Sequence, residues 1–402
     1  MDWQQGSFDR TRIVPAASNK RWVTHARHSG PAPHRAVGRG RDVVEVGGGG
    51  AVTSSSSPKT VTLDGSSGEG GGQILRTALT LALLTGRPFR IDRIRANRDK
   101  PGLRPQHLKA VEAAATLCGA EVTGGSVGST ALGFRPGAVE ARDLLVDIGT
   151  AGATALVLQT LHLPLALRAT GPTRLTLVGG TFNASAPSFP FLESTWRAHL
   201  AAIGMPVALA MAAAGYYPAG GGQLDAWIEP ATPRALVLED RGPLVKIRGL
   251  AEVTNLDRGI AERMRRTAAS GLLARGFEAE VAVLDRPGPG TGASIALVAE
   301  FERGAPATFV GLGERGKPAE RVAEEAVAEL LEHLEAAWGA VDLHSADQLL
   351  LPLAFAPGRS VYTVTHLTEH LRTNVATIRA FLDRPIRVEE SAGGQGGRVV
   401  IG

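Results

Sequence analysis

The chain has 402 residues, 44% of them hydrophobic and 20% charged, which excludes a mini-protein needing staples and predicts two or three domains at roughly 150 residues each. A single cysteine, Cys118, excludes an internal disulfide framework and a Cys-rich zinc cluster. No apolar run approaches the roughly 18–20 residues of a membrane span, so a cytoplasmic protein is the expectation. Residues 1–58 carry 8 Lys/Arg against 4 Asp/Glu and the remainder is balanced at 35 against 35, so any nucleic-acid site must be a local patch.

Residues 1–58 show neither helical nor strand periodicity and hold the runs Gly47–Gly50 and Ser54–Ser57, which predicts a disordered extension. From Thr60 one order of elements recurs three times: a Gly- or Ala-rich lead-in, an apolar helix, a strand, an amphipathic helix, then two strands. The first copy runs GGQILRTALTLALLTG, PFRIDRI, PQHLKAVEAAATLCG, AEVT and ALGFRPG. The second runs GTAGATALVLQTLHL, RLTLVGG, FLESTWRAHLAAIG, MPVALA and QLDAWIEP.

Residues 241–340 interrupt the series with strand LVKIRGL, helix LDRGIAERMRRTAASGLLARG, strands EAEVAVL and ASIALVAEF, and helix ERVAEEAVAELLEHLEAAW. In the last helix Val322, Val327, Leu330, Leu331 and Leu334 form one stripe and the glutamates face water. The third copy then reads HSADQLLLPLAFA, SVYTVTH, EHLRTNVATIRAFL, PIRVEES and GRVVIG. The expected fold is α/β (α+β): a large triplicated domain over 59–240 and 341–402, and a smaller α/β domain inserted at 241–340.

Three features could carry chemistry. The run LDGSSGEGGGQILR sets glycines directly before a helix, which suits backbone N–H groups cradling a phosphate and equally suits a tight turn. Glu69, embedded among those glycines, is harder to explain structurally. Between Arg87 and Lys109 eight basic residues face Asp92 and Asp99; Arg95 and Arg98 flank a strand end, where guanidinium forks can grip phosphate oxygens, a solvated strand face being the alternative. His344, His366 and His370 cluster in the last 60 residues without zinc-ligand spacing. His370 opens a helix with Thr368 as a candidate N-cap, where the positive end of the helix dipole favours a neutral ring whose lone pair can attack phosphorus, a purely structural histidine being the alternative.

Taken together, LDGSSGEGGGQILR, IRANRDKPGLRPQHLKAV, TAGATALVLQT, YYPAGGG, HSADQLLLPLA and THLTEHLRTNV resemble the RNA 3'-terminal phosphate cyclase family, from about Thr60 to Gly402. The resemblance implies three units, each a four-stranded sheet with two helices, and a smaller domain inserted between the second and third. It implies ATP-dependent conversion of an RNA 3'-terminal phosphate to a 2',3'-cyclic phosphate through AMP carried on a histidine, here His370. By the same motifs His344, Ser345, Ala346, Asp347, Gln348 and Gln159 are expected at the ATP site. Arg76, Arg95, Arg98 and Gln106 are expected on phosphates of ATP or of the RNA end, and Glu69 on Mg²⁺ or Mn²⁺.

Some family members carry Tyr where His344 stands, which bears on adenine recognition. RNA with a 3'-terminal phosphate is the expected partner, with no membrane partner, and monomer or homodimer is left open. Two other readings compete: a catalytically inactive, cyclase-like RNA-binding ribosome-assembly factor, which would lack the nucleophilic histidine, and a small-molecule transferase on repeated units of the enolpyruvyl transferase kind, which would have no use for it.

Overall fold

The computed structural model describes residues 58–402 apart from Glu69 and Ala337. The extension read over 1–58 therefore falls, but for its last residue, outside the described residues, as does Glu69. The first unit comprises β1 (Val61–Asp64), α1 (Gln73–Thr85), β2 (Phe89–Asp92), α2 (Pro105–Cys118), β3 (Glu121–Thr123) and β4 (Leu132–Arg135), with strand order β1-β2-β4-β3. The second comprises β5 (Leu144–Asp147), α3 (Thr154–Arg168), β6 (Thr173–Gly179), α4, β7 (Val207–Ala213) and β8 (Gly222–Ile228), in the matching order β5-β6-β8-β7. Here α4 is a broken helix, Phe189–Phe191 and Arg197–Ala202 joined by a π-turn at Leu192–Trp196.

Next come β9 (Val237–Leu238) and then β10 (Leu244–Thr254), α5 (Arg258–Leu273), β11 (Ala279–Asp285), β12 (Gly292–Phe301), β13 (Ala307–Leu312) and α6 (Ala319–Glu335). The chain closes with α7 (Leu350–Ala354), β14 (Ser360–Val364), α8 (Glu369–Phe381), β15 (Ile386–Glu390) and β16 (Gly397–Ile401). In the last sheet the order is β15-β16-β14-β9, with β9 parallel to β14, so the pattern of the first two units is repeated with β9 as opening strand. The intervening sheet, β11-β10-β12-β13, thus interrupts the third unit after its first strand rather than falling between whole units. The class is mixed α/β, as the repeats and the resemblance imply.

The strands that the sequence reading passes over are mostly these openers: β1, β5 and β9 have 4, 4 and 2 residues, too few for alternation to show. β13 is also passed over; its ATFVGL is buried at four of six positions, so it lacks a polar face. β1 and β5 are each joined through a helix to a parallel partner, the connection a βαβ crossover requires, β9 pairs parallel with β14 across the insertion, and the two later strands of each unit return antiparallel.

One apolar core runs through the three units and a second lies under β10–β13, α5 and α6. Cys118 is buried in the first core, where burial pushes its thiol up, consistent with a packing role. Helix α1, buried at eleven of its thirteen positions, packs on α2, α3 and α8. Its neighbour α3 contains Pro164, which cannot donate to the carbonyl of Thr160 four residues back; that carbonyl instead accepts from the Thr80 hydroxyl of α1 at 2.9 Å. The irregularity in one helix is thereby used to fix the other beside it.

Candidate active site

Helix α1 carries polar residues Gln73, Arg76, Thr77 and Thr80, spaced i, i+3, i+4, i+7 and hence on one face. That face lines a cavity whose other walls are Gln159, Thr160 and His162 of α3, Trp196 and Leu200 of α4, Asp347, Gln348, Leu351 and Pro352, and Asn374 of α8. Helices from all three units therefore meet around one polar spot.

A relay of hydrogen bonds crosses it. Gln73 donates Nε2–H to Asp347 Oδ2 at 2.6 Å, and Gln73 Oε1 lies 2.8 Å from His370 Nδ1. With the amide so oriented, Nδ1 is the donor in that contact. Asn374 braces the relay, donating to the Asp347 carbonyl at 3.1 Å and its carboxylate at 3.3 Å while accepting from Thr77 at 2.6 Å. His370 is the second residue of α8, and Thr368 caps the helix, its hydroxyl accepting from Leu371 N at 3.2 Å.

Burial sets the charges here. It raises Asp347 to about 6, against the pull of His370, Arg76 and His344, and lowers Arg76 to about 10, with Asp347 opposing. His162 is pushed down to about 3 by burial alone, and His107 to about 3 by burial and then by Arg76, Arg95 and Arg104. Both rings are therefore neutral at physiological pH.

The remaining residues of the HSADQ run divide. Gln159 donates to Gln348 Oε1 at 2.5 Å, and Gln348 to the His344 carbonyl at 2.7 Å, so these two join the relay's rim. Asp342 caps the turn, accepting from His344 N at 2.9 Å and Ser345 N at 3.0 Å. Ser345 is buried and its hydroxyl finds no partner among the described residues. Ala346 is fully buried and its carbonyl is taken by Tyr362 at 2.8 Å, so it anchors the loop rather than facing the cavity. His344 stands on the rim, edge-on to Phe191, with Nε2 3.7 Å from Glu329 of α6. Partial burial opposes its charge, but Glu329, Asp342 and Asp347 outweigh that and raise its pKa.

The cationic side is built from the loop after β2. Arg95, in left-handed backbone conformation at φ 55°, holds the loop by donating to the carbonyls of Lys100 at 2.6 Å and Gly102 at 3.3 Å. Its charge is disfavoured by burial and by neighbouring Arg104 and Arg98, a crowding of guanidinium groups that an anion relieves. The glycine loop lies directly against this side: a Cβ on Gly71 would come within 3.3 Å of Arg98 Nη2, and one on Gly72 within 2.2 Å of His107 Nε2 and 3.1 Å of Arg76 Nη1. Only glycine at position 72 lets the backbone pass so close. Gln106 accepts from Ala153 N, the residue before α3, at 3.3 Å.

The structure thus brings Arg76, Asp347, Gln159, Gln348 and His370 together and sets Arg98 beside the glycine loop. Gln73, Thr77 and Asn374 were not singled out from sequence, and Arg104 only as one of the basic residues between Arg87 and Lys109. For the first two the signal was there, as polar positions on one face of an otherwise apolar helix. Among the described residues no three His, Cys, Asp or Glu side chains converge as a metal site, and none of the described helices is long and apolar enough to cross a membrane.

The family model described as RNA 3'-terminal phosphate cyclase matches residues 67–388. A protein of Ralstonia nicotianae named RNA 3'-terminal phosphate cyclase is 45% identical, over 82% of this chain and 93% of its own length. Proteins of the same name from Pyrobaculum neutrophilum and Archaeoglobus fulgidus are 43% and 41% identical, each over 82% of this chain and over 95% and 98% of their own.

Proposed function

The chain belongs to the RNA 3'-terminal phosphate cyclase family, an ATP-dependent family of RNA-processing ligases, and we propose that it converts an RNA 3'-terminal phosphate to a 2',3'-cyclic phosphate through AMP carried on His370. A phosphate monoester has no good leaving group, whereas AMP on an anhydride does, so ATP can drive closure of the strained ring. The observation that supports the reading is the relay: Asp347 holds the Gln73 amide and Gln73 Oε1 holds His370 Nδ1, which orients the imidazole at the start of α8 with Nε2 as the proposed nucleophile.

In the first step Nε2 attacks the α-phosphorus of ATP, an N–P bond forms and pyrophosphate leaves. An oxygen of the RNA 3'-phosphate then attacks that phosphorus, the N–P bond breaks, and AMP passes to the RNA end. Finally the adjacent 2'-hydroxyl attacks the 3'-phosphorus, loses its proton and expels AMP. The protein's share is positioning and charge neutralisation: Arg76 and Arg98 on phosphates, with Arg95 and Arg104 adding positive potential beside them. His344, Ser345, Gln159 and Gln348 form the rim proposed for the nucleoside, and Gln106 is proposed at the RNA end.

A divalent cation, Mg²⁺ or Mn²⁺, is proposed on Glu69 from the family resemblance; when bound it would neutralise phosphate charge. The described residues supply no ligand set of their own, and no step here is assigned to it. A cytoplasmic site of action belongs to the same proposal. The test is conversion of an end-labelled RNA 3'-phosphate to a phosphatase-resistant cyclic end by protein, ATP and Mg²⁺. An uncyclised RNA, in folded protein, would sink the reading and favour the RNA-binding assembly factor.

A further inference from the structure

Three aromatic side chains are exposed among the described residues: Tyr217 at 82%, Trp338 at 46% and Trp227 at 41%. Two of them are engaged by the protein. Arg174 lies over the Trp227 ring at 5.4 Å, and Trp338 donates its indole N–H to the Gly397 carbonyl at 3.2 Å. Among the described residues Tyr217 has no hydrogen bond or ring contact, and it is the most exposed.

The turn that carries it is nevertheless held by its neighbours. The preceding residue, Tyr216, is buried, stacked on Phe182 at 4.6 Å and bonded through its hydroxyl to Ser294 at 3.1 Å. A turn closes behind Tyr217, Gly220 N donating to the Tyr216 carbonyl at 2.7 Å. An exposed aromatic ring without an internal partner on a held turn offers a flat apolar face with a polar tip to a ligand.

The turn also stands next to the phosphate side. Gly220 is packed so close to Thr150 and Ala151 that a Cβ there would lie 2.7 Å from the Thr150 carbonyl and 2.8 Å from Ala151 N. Ala153, two residues on, donates its N–H to Gln106 at 3.3 Å. Two residues span at most about 7.6 Å, so the turn at Gly220 lies no further than on the order of 15 Å from the Gln106 amide, within the reach of a few nucleotides.

We propose that Tyr217 is a stacking platform for a nucleobase near the 3' end of the single-stranded RNA substrate. The inference rests on the RNA 3'-phosphate reading above. Every base offers a π face, so such a contact grips a strand with little sequence preference while the arginines hold its terminal phosphate. It would make the enzyme sensitive to the presence of bases near the end, without a demand for particular ones.

The test uses full-length protein and a 3'-phosphorylated oligonucleotide series in which one abasic nucleotide is walked through the last four positions. Tyr217→Ala should raise the KM for intact RNA about tenfold, leave labelling of His370 by ATP unchanged, and be rescued by Tyr217→Phe. At one abasic position the wild type should lose the same factor and Tyr217→Ala nothing further. Wild-type KM in Tyr217→Ala, or equal abasic penalties in both proteins, would overturn the role of Tyr217 alone. Absence of cyclisation by the wild type would overturn the parent reading with it.

Discussion

The two halves of the site are built on opposite principles. The half around His370 stands on helices α1 and α8 and on the turn before α7, partly withdrawn from water, with an amide relay between one carboxylate and one imidazole. The half around Arg95, Arg98 and Arg104 lies in and just beyond the loop after β2, held by backbone acceptors and left-handed geometry, its cations crowded against one another. In the proposed mechanism the first orients the nucleophile, and the second supplies positive potential to anions of varied shape. Covalent chemistry tolerates little misplacement, whereas phosphate binding by several guanidinium groups averages over it.

Mutations should separate the halves. The largest effect, after loss of His370 itself, is expected at Asp347. In Asp347→Asn the new amide lets Gln73 turn over and donate to Nδ1, which moves the imidazole proton to Nε2 and removes the attacking lone pair. The corresponding change in a catalytic triad costs about 10⁴-fold; with an amide interposed, a loss on the order of a hundredfold in the rate of AMP transfer to the protein is expected, read by single-turnover labelling.

The same carboxyl predicts a pH dependence. Asp347 is raised to about 6, and its ionised form is the one that accepts from Gln73, so labelling should rise as pH passes upward through about 6. An identical profile in Asp347→Asn would take the carboxylate out of the relay.

On the loop half the effect should be smaller and sensitive to salt. Arg98→Ala should cost roughly 1.5–3 kcal/mol if its guanidinium bonds a phosphate, measured as kcat/KM for cyclisation, with a weaker salt dependence than wild type. Wild-type kcat/KM would remove Arg98 from the site. Smaller still is the effect of Glu329, which reaches His344 from α6. Both side chains are half exposed, so an ion pair there is worth about 0–1 kcal/mol. Glu329→Gln should change the KM for ATP less than about fivefold and bring its rise to lower pH, because His344 loses the carboxylate that sustains its charge.

Much of this was legible in the sequence. The triplication shows in the lead-ins, helices and return strands, because apolar periodicity persists wherever an element is long. His370, Arg76, Asp347, Gln159 and Gln348 could be named from their motifs. What escaped is whatever depends on distant partners. Gln73 and Asp347 are 274 residues apart, and Thr77 and Asn374 are 297 apart, so no local pattern joins them. The opening strand β9 escaped because two residues cannot show a period, and it was therefore invisible that the insertion splits the third unit. Ala346 shows the reverse case: its motif suggests the ATP site, and its side chain is buried in the core.

The central claim is that His370 Nε2, oriented by Gln73 and Asp347, carries AMP. Incubation of full-length protein with α-labelled ATP and Mg²⁺, followed by denaturing electrophoresis, tests it most directly. The expected result is an acid-labile, alkali-stable labelled protein, with the label absent from His370→Ala. A folded wild-type protein that takes no label, or a label that survives in His370→Ala, would contradict it.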